Sequence, residues 1–127
     1  MNTVGFAAVG IGAALGAWLR WILGVTLNAV WPALPLGTLC ANLIGGYLIG
    51  VAVEIFSQQG SLPAELRLLI ITGFLGGLTT FSTFSAEAVG LLLRSQYFSA
   101  LILISTHLFG SIVLTILGIH SVRAFSV

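Results

Sequence analysis

The sequence predicts an all-α membrane protein whose third of four transmembrane helices is broken, and three observations carry that prediction. Hydrophobic residues fill 58% of the 127 positions and charged residues only 6%, with a mean hydropathy of +1.17, which leaves too few charges to cover a soluble globule. Four apolar segments separate cleanly at turn-forming and polar residues. The third of them contains GFLGGLTTFSTFS at residues 73–85, with two adjacent glycines, five hydroxyl side chains and three phenylalanines, a composition that a continuous lipid-facing helix does not require.

The segments run over residues 4–27, 36–56, 64–93 and 98–122. Each approaches or exceeds the roughly 20 residues that cross a hydrocarbon core about 30 Å thick. The first lacks the positive n-region and cleavage site of a secretory signal, so it is expected to be retained as a helix. Residues 28–35 turn the chain with Trp31-Pro32 and Pro35, residues 57–63 turn it with Gly60-Ser61 and Pro63, and residues 94–97 form a short third connection. Trp31, Tyr97 and Trp21 are candidate interface anchors. Together these segments predict one domain over residues 1–127.

Within the third segment, Gly76 and Gly77 weaken helix propensity, while Thr79, Thr80, Ser82, Thr83 and Ser85 offer hydroxyls to backbone groups freed by a break. A break over residues 76–80 is expected. Irregular backbone at membrane depth is tolerated only where protein buries it or a polar cavity receives it, so the same stretch is the candidate functional site. Four helices make a thin bundle, so a pathway is more easily built between subunits than inside one, and oligomerisation is expected.

The charges set the orientation problem. Arg67 and Arg123 fall on one side of the membrane, Arg94 and the end of the first helix carrying Arg20 on the other. That balance gives no strong insertion preference, which makes a dual-topology protein, with both orientations paired antiparallel, a serious hypothesis. Small residues at helical spacing, Gly12 and Gly16, Gly46 and Gly50, Gly73 and Gly77, support close helix approach, although sixteen glycines make such spacings common by chance. Cys40, the single cysteine, reads as a packing residue. A formal charge of +1 gives no indication of nucleic-acid binding.

Several residues could carry chemistry. Asn42, inside the second helix, either joins helices by hydrogen bonding or lines a polar path, and its amide N–H groups are donors an anion could accept. Phe81 and Phe84 share a helix side, and their positive ring edges beside hydroxyl donors make a plausible anion station, against the blander alternative of interhelical packing. His107, Ser111 and Thr115 form a polar stripe of the kind that is more often structural than functional. Arg20 and Glu87 are the charges expected within the membrane boundaries; Glu87, which would repel an anion, is expected to hold a structural partner. No nucleophile, base and orienting group, phosphate loop or carboxylate pair is recognisable, so catalysis is not expected.

The helix-three motif, GTLCANLIGGYLIG at residues 37–50 and GAWLRW at residues 16–21 together resemble the Fluc (CrcB-type) family of fluoride ion channels over nearly the whole chain. The resemblance implies an antiparallel, dual-topology homodimer in a bacterial inner membrane. It implies two fluoride pathways at the dimer interface and a structural Na+ at the centre. Position by position, it assigns the pore asparagine to Asn42 and the fluoride-facing phenylalanines to Phe81 and Phe84. It gives a polar track of Thr80, Ser82 and Thr83 continuing to Ser111, sodium-binding backbone carbonyls at Gly76 and Thr79, and a structural arginine near a vestibule at Arg20. His107 stands where other members carry serine, so its contact with the ion is left open. The implied activity is passive export of fluoride trapped in the cytoplasm after HF entry. A small proton-coupled exporter of cationic drugs is the rival, but it is expected to use an acidic residue early in the chain, where helix one has Arg20 and no acid. A non-transporting assembly subunit is the third reading.

Overall fold

The computed structural model describes residues 1–126 and, among them, contains four helical segments long and apolar enough to cross a membrane. Helix α1 (Thr3–Leu27) begins at Asn2, whose side chain accepts from the Gly5 amide at 2.7 Å and so satisfies one of the donors a helix start leaves free. Helix α2 (Leu36–Gln58) starts directly after Pro35. The third span, Ala64–Leu93, is composite. It opens as α3 (Ala64–Arg67) after Pro63, continues as a π-helical stretch (Leu68–Leu75), returns to α-helix for α4 (Gly76–Leu78), and resumes as α5 (Phe81–Leu93). Helix α6 (Tyr97–Phe125) completes the bundle.

The break is narrower than residues 76–80. It consists of Thr79 (φ −84°, ψ 155°) and Thr80 (φ −148°, ψ 120°), both extended, whereas Gly76 and Gly77 remain helical. The glycines serve a different need, which is contact with α1. A Cβ on Gly77 would overlap the Ala13 backbone, one on Gly73 would overlap Val9, and Gly12 and Gly16 face Leu69, Phe74 and Leu78 just as closely. The same holds where α2 meets α6: Gly50 abuts the Thr115 carbonyl, and a Cβ on Gly46 would lie 3.0 Å from the Ser111 carbonyl oxygen. All three small-residue pairs are therefore sites of backbone-to-backbone approach.

Two apolar clusters follow from this pairing. One joins Leu34, Leu39, Ala88, Leu91, Ala100 and Leu103, the other Ala41, Ala52, Phe56, Leu75 and Leu78. The turn between α5 and α6 closes with a Schellman motif: the Gln96 amide donates to the Leu91 carbonyl at 2.9 Å and the Ser95 amide to the Leu92 carbonyl at 3.0 Å. Ser95 occupies the left-handed position with φ 58°, where glycine is the usual residue. At the opposite end of α6, Arg123 bonds Glu54 of α2 through Nε at 3.0 Å, an exposed pair that contributes little beyond holding the helix ends together.

Candidate functional site

Two extended residues cost the third span its helical hydrogen bonds, and the accounting of those bonds builds the site. The Thr80 amide, which a continuous helix would direct to the Gly76 carbonyl, donates instead to Asn42 Oδ1 at 2.7 Å. The Thr80 carbonyl accepts from Asn42 Nδ2 at 2.9 Å. Asn42 therefore pairs with both backbone groups of Thr80, as a neighbouring β-strand would. The Thr83 amide goes to the Thr80 hydroxyl at 3.0 Å, which makes Thr80 the N-cap of α5 and removes the donor that the Thr79 carbonyl would otherwise receive. Arg20 reaches in from α1, its Nε donating to the Gly77 carbonyl at 3.0 Å. The Thr79 amide and hydroxyl both donate to the Leu75 carbonyl, at 3.0 and 2.8 Å.

Asn42 Nδ2 also lies 3.0 Å from His107 Nδ1 on α6. The imidazole is buried and lies against Phe84, ring centroids 4.7 Å apart with planes tilted by 36°, and Phe84 meets Phe81 edge-on, centroids 5.5 Å apart with planes inclined at 63°. Phe81 is 79% exposed on the protomer surface, with Ser82 exposed beside it. One turn earlier on α2, the Thr38 hydroxyl donates to Glu87 Oε2 at 2.6 Å, so Glu87 has the side-chain partner expected for it.

The break opens onto a groove of about 680 Å³ on the face of the protomer. Its lining includes Asn42, Gly76, Thr79, Thr80, Phe81 and Phe84, with His107, Ser111 and Thr115 contributed by α6. Of the α6 stripe, Thr115 is occupied structurally, its hydroxyl 2.8 Å from the Gly46 carbonyl and 2.9 Å from its own helix at Ser111. Sequence reasoning brought Asn42, Thr80, Phe81, Phe84 and Ser111 forward, and the fold gathers them on this groove; Ser82 and Thr83 lie on the adjoining first turn of α5. The pairing of Asn42 with His107, and that of Arg20 with Gly77, join residues 65 and 57 positions apart and had no sequence signal.

The model of a family described as CrcB-like protein, Camphor Resistance (CrcB), matches residues 7–119. The chain belongs to that family. Family members similar to it over almost their full length include a protein of Nitrosospira multiformis, 63% identical over 123 residues, covering 97% of this chain and 96% of the relative. Another, from Ralstonia pickettii, is 62% identical over 126 residues, covering 99% and 100%. A third, from Cupriavidus metallidurans, is 58% identical with the same coverage. Each of these CrcB relatives is named a fluoride-specific ion channel, FluC.

Proposed function

We propose that this protein is the subunit of a fluoride-selective passive channel, and not an enzyme, in the inner membrane of a bacterium. It lets cytoplasmic fluoride leave down its electrochemical gradient. The observation that carries the reading is near-full-length identity of up to 63% with proteins named as fluoride-specific channels. The groove supplies the chemistry. Fluoride holds its hydration water strongly, so a pathway must offer replacement donors that bind weakly enough to allow exit. The hydroxyls of Thr80, Ser82, Thr83 and Ser111 are such donors, the edges of Phe81 and Phe84 add weak positive potential, and Asn42 fixes the Thr80 backbone among them.

An antiparallel homodimer with two pathways is part of the proposal. Lipid does not tolerate exposed irregular backbone, yet Gly76, Thr79 and Thr80 line an open face of the protomer. A second copy laid on that face would cover the break, and the arginine balance supports its antiparallel insertion. A central Na+ fits the same place. Diversion of the Thr80 and Thr83 amides leaves the Gly76 and Thr79 carbonyls without their helical donors. Such oxygens suit a hard cation, and no cluster of three His, Cys, Asp or Glu side chains offers an alternative site among the described residues. When bound, the ion would hold the two breaks together as a structural crosslink. Arg20, on the neighbouring Gly77 carbonyl, anchors the break from α1.

Purified protein in liposomes should release fluoride under a fluoride gradient and retain chloride; equal release of both, or neither, refutes the channel. Gln59→Lys and Gln96→Lys test the assembly separately. Each should bias insertion in opposite directions and lose activity alone, and coexpression should restore it. One fixed orientation in the unmodified protein would remove the dual-topology dimer while leaving the channel standing.

A further inference from the structure

A second groove, of about 610 Å³, shares no lining residue with the first and lies where α1 and the third span begin side by side. Asn2 Nδ2 donates to Glu65 Oε1 at 3.4 Å, which ties the two helix starts together at the membrane boundary. Beyond them the walls are apolar, formed by Phe6 and Val9 of α1 and Leu68 of the third span. From Asn2 to Gly10 the groove follows α1 for about 12 Å at 1.5 Å per residue, most of the roughly 15 Å depth of one hydrocarbon leaflet. Its inner end therefore opens to hydrocarbon and its mouth to the headgroup layer, so an amphiphile can fill it and a water-soluble ligand cannot. Gly12 and Gly16 are required for close contact with the third span, but a Cβ on Gly10 would meet nothing within 4 Å. Glycine costs a helix about 1 kcal/mol relative to alanine, and at Gly10 the missing side chain serves to keep the groove open. The charged side chain at the mouth is Glu65. It is half-buried and forms no ion pair among the described residues, and Arg67, two positions on, lies instead over the Phe56 ring, 5.2 Å from its centroid.

We propose that this groove is a binding site for a phospholipid whose headgroup bears a primary ammonium, phosphatidylethanolamine, with one acyl chain along Phe6, Val9 and Leu68 and the ammonium on the Glu65 carboxylate. The carboxylate supplies the selectivity. An ammonium brings both the opposite charge and N–H donors to it, which makes a charge-assisted hydrogen bond. The trimethylammonium of phosphatidylcholine brings the charge without a donor, so it ranks second. Phosphatidylglycerol ranks last, because its phosphate is repelled by Glu65 and its headgroup carries no cation to offset that repulsion. The site stands apart from the fluoride pathway and does not depend on it.

The test is native mass spectrometry of the assembled protein, released from detergent micelles that contain equal amounts of phosphatidylethanolamine, phosphatidylcholine and phosphatidylglycerol with identical acyl chains. The parent should retain phosphatidylethanolamine over phosphatidylglycerol by at least about tenfold, the effect expected for one hydrogen bond to a charged group, with phosphatidylcholine between. Glu65→Gln should bring the three lipids to within about twofold of one another, and Glu65→Asp should keep the order. Gly10→Leu, which fills the groove and leaves the carboxylate in place, should lower retention of all three. Equal retention of phosphatidylethanolamine and phosphatidylglycerol by the parent overturns the proposal. So does a preference that survives Glu65→Gln, since a carboxylate serving only the first turn of its own helix would leave the choice of lipid unchanged. A different oligomeric state in Gly10→Leu also overturns it, because the occupant would then be a second copy of the chain. Should Gly10→Leu not fold, the comparison of Glu65→Gln with Glu65→Asp decides.

Discussion

Replacing Asn42 by alanine removes three hydrogen bonds at once: from the Thr80 amide at 2.7 Å, to the Thr80 carbonyl at 2.9 Å and to His107 Nδ1 at 3.0 Å. Interhelical bonds in membranes average about 0.6 kcal/mol, and net bonds in proteins about 1 kcal/mol, so the three together are worth about 2–3 kcal/mol. The loss falls on the break, because two of the three partners are the backbone of Thr80. Amide hydrogen exchange at Thr80, followed by NMR on the protein in detergent micelles, reads it directly. A loss of about 2 kcal/mol corresponds to exchange faster by about 30-fold. Asn42→Asp keeps an acceptor for the Thr80 amide but loses both donors, so its Thr80 exchange should fall between parent and alanine variant while its global stability drops nearly as far. Thr80 exchange within about twofold of the parent in Asn42→Ala would refute the reasoning, since the amide would then be protected by something other than Asn42.

The remaining predictions concern the pathway, the glycine contacts and the last turn. Phe81→Ile and Phe84→Ile should each lower fluoride efflux from liposomes while size-exclusion chromatography finds the same assembly as for the parent, because aromatic edge is lost and apolar bulk kept. Gly16→Ala should destabilise the protein by about 1–3 kcal/mol in reversible detergent unfolding, since the new Cβ would lie 2.7 Å from the Leu78 amide nitrogen and closer still to the Phe74 carbonyl oxygen, pushing α1 off the third span. Gly10→Ala, with open space around it, is the control and should be neutral or slightly stabilising. Ser95→Gly should stabilise by about 0.5–1 kcal/mol in the same assay, because glycine accepts the left-handed conformation at φ 58° without the Cβ penalty.

Lipid made the spans legible. A crossing helix must be apolar along its length, so composition changes abruptly at each end, and the expected limits lie within three residues of Thr3–Leu27, Leu36–Gln58, Ala64–Leu93 and Tyr97–Phe125. The presence of a break was also readable, since hydroxyls and glycines have no use in a lipid-facing helix. Its position was less so: low helix propensity drew attention to Gly76 and Gly77, while their actual service is the contact with α1, which tolerates no Cβ. Nothing local marks the π-helical winding of Leu68–Leu75 ahead of the break. Asn42 was ambiguous between helix glue and pathway lining, and the fold gives it both positions, on the Thr80 backbone and on the groove. His107 looked like one member of a polar stripe. Its partner on α2 depends on the register of α6 against α2, set by Gly46 and Gly50, and only the folded chain reveals that register.

The measurement that bears most directly on the central claim is the reversal potential of the reconstituted protein in a planar bilayer with sodium fluoride on one side and an equal concentration of sodium chloride on the other. A fluoride-selective passive pathway holds the zero-current voltage far toward the value that opposes fluoride movement, and it stays there when sodium on both sides is replaced by a large organic cation. A reversal potential near zero would contradict the account, because with the same cation concentration on both sides that value results either from chloride passing as readily as fluoride or from conduction of the cation.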